Sequence, residues 1–189
     1  VDDGSNDKSQ WPKFLPPQVQ IIRHEQRSGY GAALKTGFRR CTGDIVGFFD
    51  LDGSYDPQDL FKLIGYLQNT NLALVFGNRL HKASEMPWIR YLGNSFYSAL
   101  SRFFIGCPIK DVCTGWRLFR SELLELCLSV PENGLNYSLA LTTQLTLAKT
   151  HQGEIDIHYH ERKGHSKLVV SKDGFLFLGP LLRGIYVQF

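Results

Sequence analysis

Ile45-Val46-Gly47-Phe48-Phe49-Asp50-Leu51-Asp52-Gly53-Ser54-Tyr55-Asp56-Pro57 reads as an apolar strand that ends in an acidic, glycine-containing turn and passes at once into a helix. In an extended chain residues i and i+2 point to the same side, so Asp50 and Asp52 are expected to converge on one hard divalent cation or on a ligand bound to it. Open α/β sheets bind ligands where strand carboxyl ends meet such turns. Asp56 is predicted to cap the following helix, with Pro57 at its first position and Asp59 three residues after the cap. Leu60, Leu63, Ile64 and Leu67 recur at helical spacing and give that helix an apolar face. Asp50 and Asp52 are left without a structural task.

The surrounding chain repeats the alternation. Gln18-Val19-Gln20-Ile21-Ile22 alternates like a strand, and Arg27-Ser28-Gly29-Tyr30-Gly31 is a turn leading into a short helix over Ala32 to Arg39. A strand over Leu72 to Phe76, helices from about Ser121 and over Tyr137 to Lys149, and a strand over Glu154 to Tyr159 follow. This order predicts an α/β fold with a mainly parallel sheet flanked by helices on both faces. Gly29-Tyr30-Gly31 lacks the full Gly-x-Gly-x-x-Gly fingerprint and does not follow the first strand, so no dinucleotide site is predicted. From Met86 to Phe104 an amphipathic helix carries Ile89, Leu92, Phe96, Leu100, Phe103 and Phe104 on one stripe, a pattern that suits either a core or a lipid-contact face.

With 189 residues, 43% of them apolar, the chain is long enough for one well-packed domain. Lys and Arg total 21 against 18 Asp and Glu, and this net charge of +3 is too small and too scattered to predict nucleic-acid binding. Cys41, Cys107, Cys113 and Cys127 have no paired spacing, so neither a zinc site nor a disulfide framework is indicated. No apolar run approaches the ~18 to 20 residues that cross a bilayer, since Phe175 to Leu182 contains Pro180 and is closed by Arg183. His158 and His160 alternate without a third ligand nearby and read as packing or surface residues.

Six segments, in this order, resemble glycosyltransferase family 2. They are Val1-Asp2-Asp3-Gly4-Ser5, Arg27 to Ala33, Phe49 to Ser54, Gly77-Asn78-Arg79, Asp111-Val112-Cys113-Thr114-Gly115-Trp116-Arg117, and Arg162-Lys163-Gly164-His165-Ser166-Lys167. The likeness is strongest to the branch of dolichyl-phosphate mannose and glucose synthases. It implies a GT-A fold, Rossmann-like, lacking the family's usual first strand and helix, roughly 30 residues or one βαβ unit. It also implies a catalytic domain over residues 1–178 and a juxtamembrane-like tail over 179–189. The donor would be a nucleotide sugar of the UDP-glucose or GDP-mannose class. Position by position, Asp2, Asp3, Arg27, Asp50 and Arg79 become donor-binding candidates, and Asp50 and Asp52 ligands of Mg²⁺ or Mn²⁺. Asp52, Asp111 and Arg117 become catalytic candidates, and Arg90, Arg162, Ser166 and Lys167 contacts to an acceptor or its phosphate. Asp3 has a plainer alternative, because Asp-Gly is a common turn pair.

The acceptor implied is a polyprenyl phosphate, dolichyl or undecaprenyl, or another glycan acceptor, met at the cytoplasmic face of a membrane by peripheral contact. A phosphate monoester is already anionic near neutrality and needs positioning more than activation. A sugar hydroxyl must lose a proton, which makes Asp111 the candidate base for attack opposite the leaving group with inversion. Two other readings stand beside the enzyme: a non-catalytic fragment or binding module that keeps the fold, and a nucleotidyltransferase, disfavoured because no Gly-rich triphosphate loop lies near the first residues.

Overall fold

The strand that precedes the acidic turn, β1 (Ile45–Phe48), lies at one edge of a four-stranded sheet, followed across it by β3 (Arg117–Arg120), β2 (Leu74–Asn78) and β4 (Gln152–Asp156). The computed structural model describes residues 1–6, 14–82, 84–161 and 170–188, with side chains of the last stretch described from 176 to 186. The helix α1 (Tyr30–Phe38) precedes β1, and α2 (Asp59–Gln68), β2 (Leu74–Asn78) and α3 (Trp88–Ile105) follow it. After β3 (Arg117–Arg120) come a 3₁₀ turn over Ser121–Leu123, α4 (Leu124–Ser129), α5 (Tyr137–Leu147), β4 (Gln152–Asp156) and α6 (Val170–Gln188). The last helix runs through residue 178, where the sequence suggested a boundary.

The sheet is mixed. β2 and β4 are parallel, whereas β3 pairs antiparallel with β1 on one side and β2 on the other. Three strands therefore run one way, with a reversed strand inserted between two of them. Phe48 and Phe76 both lie opposite Arg117, so the carboxyl ends of β1 and β2 meet the amino end of β3 along one edge.

Each face of the sheet carries its own core. Val46, Phe48, Leu74, Phe76 and Phe119 pack under α1, α3, α4, α5 and α6, while Val75, Leu118, Trp116 and Ile157 pack against Leu63 and Leu67 of α2. β2 is buried at all five positions, as expected for a strand covered on both faces. Gly47 faces Leu118 with no room for a side chain.

One expected strand is absent among the described residues. Gln18 to Ile22 does not form a strand: it contributes to a single parallel bridge, Asp2 with Arg23, through Asp2 N–H to the Ile22 carbonyl (2.8 Å) and His24 N–H to the Asp2 carbonyl (2.9 Å). Val19 and Ile21 stay exposed, so the alternation finds no face to bury. The stripe on α3 lies largely outside the core. Ser98, Ser101 and Ile105 face inward, and of the stripe only Leu100 packs on the core, while Ile89, Leu92, Phe96, Phe103 and Phe104 are exposed. Small serines let α3 approach α5 and α6 closely and leave its large residues outside.

Helix α2 starts two residues after Pro57. Asp56 instead caps the turn before it, its carboxylate accepting the Gln58 N–H at 2.9 Å. Asp59 is fully buried and fastens α2 to the segment after β4, accepting the His158 N–H (2.6 Å) and the Lys62 ammonium (2.6 Å). Burial disfavours its charge, but the bonds from Lys62 and His158 outweigh it and hold the carboxyl below its usual range. A depressed folded pKa contributes stability that is complete above the unfolded value and lost as pH falls through the folded one. Asp59→Asn is expected to cost about 1–3 kcal/mol in urea melts at pH 7. The gap between variant and wild type should close as pH drops below about 4.

Candidate active site

At the edge where β1, β2 and β3 meet, Tyr55, Arg79, Asp111 and Gly115 form one bonded cluster. Arg79 follows β2 and turns back onto Asp111, donating from Nε to Oδ2 (2.7 Å) and from Nη2 to Oδ1 (3.0 Å). Its own backbone N–H also reaches Asp111 Oδ2 (3.1 Å). Asp111 has 0% of its surface exposed and Arg79 8%. Burial works against the Arg79 charge, yet Asp111 beside it holds the guanidinium well above its ordinary pKa. The remaining nitrogen, Nη1, donates to the Tyr55 hydroxyl at 3.4 Å, and that oxygen also accepts the Gly115 N–H at 3.0 Å.

Asp50 lies beside this clamp. A Cβ placed on Gly115 would come within 2.5 Å of Asp50 Oδ2 and 3.1 Å of the Tyr55 hydroxyl. Tyr30, in the first turn of α1, is partly buried near Asp50; burial first, then the Asp50 charge, push the phenol well above its ordinary pKa. Burial likewise raises Tyr55. Asp52 bends into the turn, Oδ1 accepting both the N–H and the hydroxyl of Ser54.

The strand geometry assumed for the acidic pair does not apply. β1 ends at Phe48, residues 51–53 bend, and Gly53 has φ 76°, so Asp50 and Asp52 are turn residues rather than neighbours on an extended face. Among the described residues no three His, Cys, Asp or Glu side chains are grouped to enclose a metal. Mg²⁺ characteristically binds through one or two carboxylates plus substrate phosphates and water. Two hard oxygen donors at a strand end fit that mode.

Two arginines, Arg79 and Arg117, differ from their expected places. The Arg79 fork is occupied by Asp111 and Tyr55, so it does not present itself to a diphosphate. Arg117, expected as a catalytic residue, is fully buried; it donates to the carbonyls of Thr114 (3.1 Å), Val112 (3.1 Å) and Ser138 (2.9 Å) and lies over the Phe76 ring at 4.7 Å. With no carboxylate in that bonded set, burial pulls its pKa down. Arg90 sits in the first turn of α3 and is not among the residues joined by the cluster. Asp111, expected as a base, has both oxygens committed to Arg79. Arg162, Ser166 and Lys167 lie outside the described residues.

Asp3 fastens the turn before α1. Its carboxylate accepts the N–H groups of Ser28 (2.8 Å) and Gly29 (2.9 Å) and bonds His24 Nδ1 (2.8 Å), fixing the turn that presents Tyr30. Gly29, at φ 102°, is required there because the Asn133 carbonyl occupies the place of a side chain. Asp2 accepts the Ser5 N–H (2.9 Å) and faces Arg23 Nε at 3.5 Å. Arg27 is exposed on the same turn. His158 and His160 bond separate carboxylates, Asp59 and Glu85. Tyr30, Tyr55 and Gly115 were not singled out by sequence reasoning, although all three stand in or beside motifs that were.

Fold and site together define an α/β domain with an acidic turn at the carboxyl edge of its sheet, the arrangement of a GT-A-like fold. Residues 1–127 match the family model "Glycosyl transferase family 2", and the chain belongs to that family. It is 28% identical over 167 residues to a dolichyl-phosphate hexose transferase of Haloferax volcanii, covering 88% of this chain and 71% of the relative. It is 30% identical to a polyprenol monophosphomannose synthase of Mycolicibacterium smegmatis, with 89% and 68% covered. A hexosyltransferase of low-salt glycan biosynthesis, also from Haloferax volcanii, is 25% identical, and there the chain spans only 43% of the relative's length. Among solved structures, glucosyl-3-phosphoglycerate synthase from Mycobacterium tuberculosis, in complex with Mn²⁺, UDP-glucose and phosphoglyceric acid, superposes with a TM-score of 0.65. Identity is 18%, with 88% of this chain and 61% of that one covered, so the likeness is one of fold.

Removing one partner of a buried ion pair leaves the other charge uncompensated. Arg79→Met is therefore expected to cost about 3–5 kcal/mol in denaturant melts. The double variant Arg79→Met/Asp111→Leu should recover much of that loss.

Proposed function

We propose that this chain is the catalytic region of a metal-dependent glycosyltransferase that moves a hexose, with inversion, from a nucleoside diphosphate sugar to a polyprenyl phosphate. The observation that carries the choice of acceptor is the state of Asp111. A hydroxyl acceptor needs a base within reach of its proton, and the candidate carboxylate is buried and bound at both oxygens by Arg79. A phosphate acceptor, with a second pKa of about 6, arrives already ionised. The names of the Haloferax and Mycolicibacterium relatives support the same class of acceptor.

In this reading Asp50 and Asp52 hold the cation, and Asp2, Asp3 and Arg27 stand on the donor side. A bound Mg²⁺ or Mn²⁺ supplies the Lewis acidity that neutralises charge on the departing diphosphate. The Asp111–Arg79 clamp keeps the wall behind Asp50 rigid. Arg162, Ser166 and Lys167 remain the acceptor-side residues of the proposal, with Arg90 on the approach along α3.

Peripheral membrane contact at the cytoplasmic face belongs to the same proposal. Among the described residues no helix is long and apolar enough to cross a membrane. The outer face of α3 nevertheless exposes Trp88 (72%), Ile89, Leu92, Phe96 and Phe103 (82%), and α6 exposes Leu182 and Tyr186. A continuous apolar face with aromatic residues suits the headgroup boundary, where an isoprenoid-tailed acceptor resides.

Calorimetry with UDP-glucose and GDP-mannose tests the donor site. Binding of one of them is expected to require Mn²⁺ and to be lost in Asp50→Ala and Asp52→Ala; metal-independent binding that survives both changes contradicts the proposal. Flotation with anionic phospholipid vesicles tests the surface. Burying a large apolar side chain is worth about 1.5–3 kcal/mol, so Phe96→Asp/Phe103→Asp should weaken vesicle binding more than about tenfold without changing the circular dichroism spectrum.

A further inference from the structure

The loop over residues 111–117 is fixed from both ends, and its one glycine lies against the acidic turn. Arg79 grips Asp111 at the start, and Arg117 at the end reaches back to the Val112 and Thr114 carbonyls. The Thr142 hydroxyl adds a bond to the Val112 carbonyl (2.9 Å), and the Gly77 N–H one to the Trp116 carbonyl (3.0 Å). The Trp116 ring is packed between Phe49 and Tyr55, with both centroids at 5.3 Å. A loop tied in this way has little freedom to retreat. Gly115 does not need its missing side chain for backbone reasons, since it is not among the positive-φ glycines. What excludes a Cβ there is the Asp50 carboxylate at 2.5 Å and, less severely, the Tyr55 hydroxyl at 3.1 Å.

We propose that Gly115 is a positioning residue for Asp50: it leaves the space that the carboxylate occupies, on a loop that has little freedom to draw back. The role of Asp50 in holding the cation rests on the function proposed above; the placement of its carboxylate does not.

A stability cycle and a metal titration test this separately. Gly115→Ala, Asp50→Ala and the double variant are melted without ligand. The Gly115→Ala loss should shrink sharply when the Asp50 carboxylate is absent, and if Gly115→Ala alone fails to fold, the double variant should regain the folded state. An equal loss in both backgrounds overturns the proposal. The second measurement is the Mn²⁺ concentration for half-maximal binding of UDP or GDP. It should rise at least tenfold in Gly115→Ala; an unaltered Mn²⁺ response overturns the proposal. If wild type binds neither nucleotide with Mn²⁺, the proposed function falls, and the melting cycle still decides whether Gly115 sets Asp50.

Discussion

A guanidinium with no solvent and no carboxylate in its bonded set is a demanding thing to bury, and Arg117 is such a group. Desolvation of a charge costs several kcal/mol and is tolerable only with good compensating bonds. Three carbonyls and the Phe76 face supply them, and two of those carbonyls belong to the loop that precedes it. The third, from Ser138, belongs to α5. Arg117 therefore joins β3, the loop before it and the helical layer at one point. Arg79 does the same from β2 through Asp111. Two cations used internally make the wall against which Asp50 sits.

This division of labour separates charge that holds the site from charge that meets substrate. The internal arginines are bonded and buried, whereas Arg27 lies exposed on the turn before α1. Arg79 and Arg117 turn their donors to Asp111, Tyr55 and backbone carbonyls. Such preorganisation matters in a metal-assisted displacement, because a small misplacement of a ligand reduces the rate steeply. The same economy explains why Asp111 is a poor base and a good anchor.

Much of the fold was legible because it depends on local patterns. The helical spacing of Leu60, Leu63, Ile64 and Leu67 and the apolar run before Asp50 correctly located α2 and β1, since periodicity reports which face is covered. The strand Arg117–Arg120 was not legible: arginine at both ends hides an apolar pair, and its antiparallel insertion between β1 and β2 is a tertiary choice. The α3 stripe shows the reverse limit. Its large residues form the pattern, but Ser98 and Ser101 decide which side docks, and periodicity cannot tell a buried face from one awaiting another surface. In the site, acidic motifs were visible as motifs, while the partners of Arg79, Arg117 and Asp111 were not, because Arg79 and Asp111 pair across 32 residues and Arg117 bonds backbone carbonyls, and neither leaves a spacing signal.

The central claim is that a metal-bound diphosphate sits at the Asp50 turn. Paramagnetic broadening of backbone amide signals by Mn²⁺, in the presence of UDP or GDP, tests it most directly because it reports place rather than affinity. The account predicts loss of signal centred on Asp52, Ser54 and Gly115, with Tyr30 next. Broadening centred elsewhere, as at His151 on the opposite edge of the sheet, or spread evenly over surface carboxylates, would contradict it.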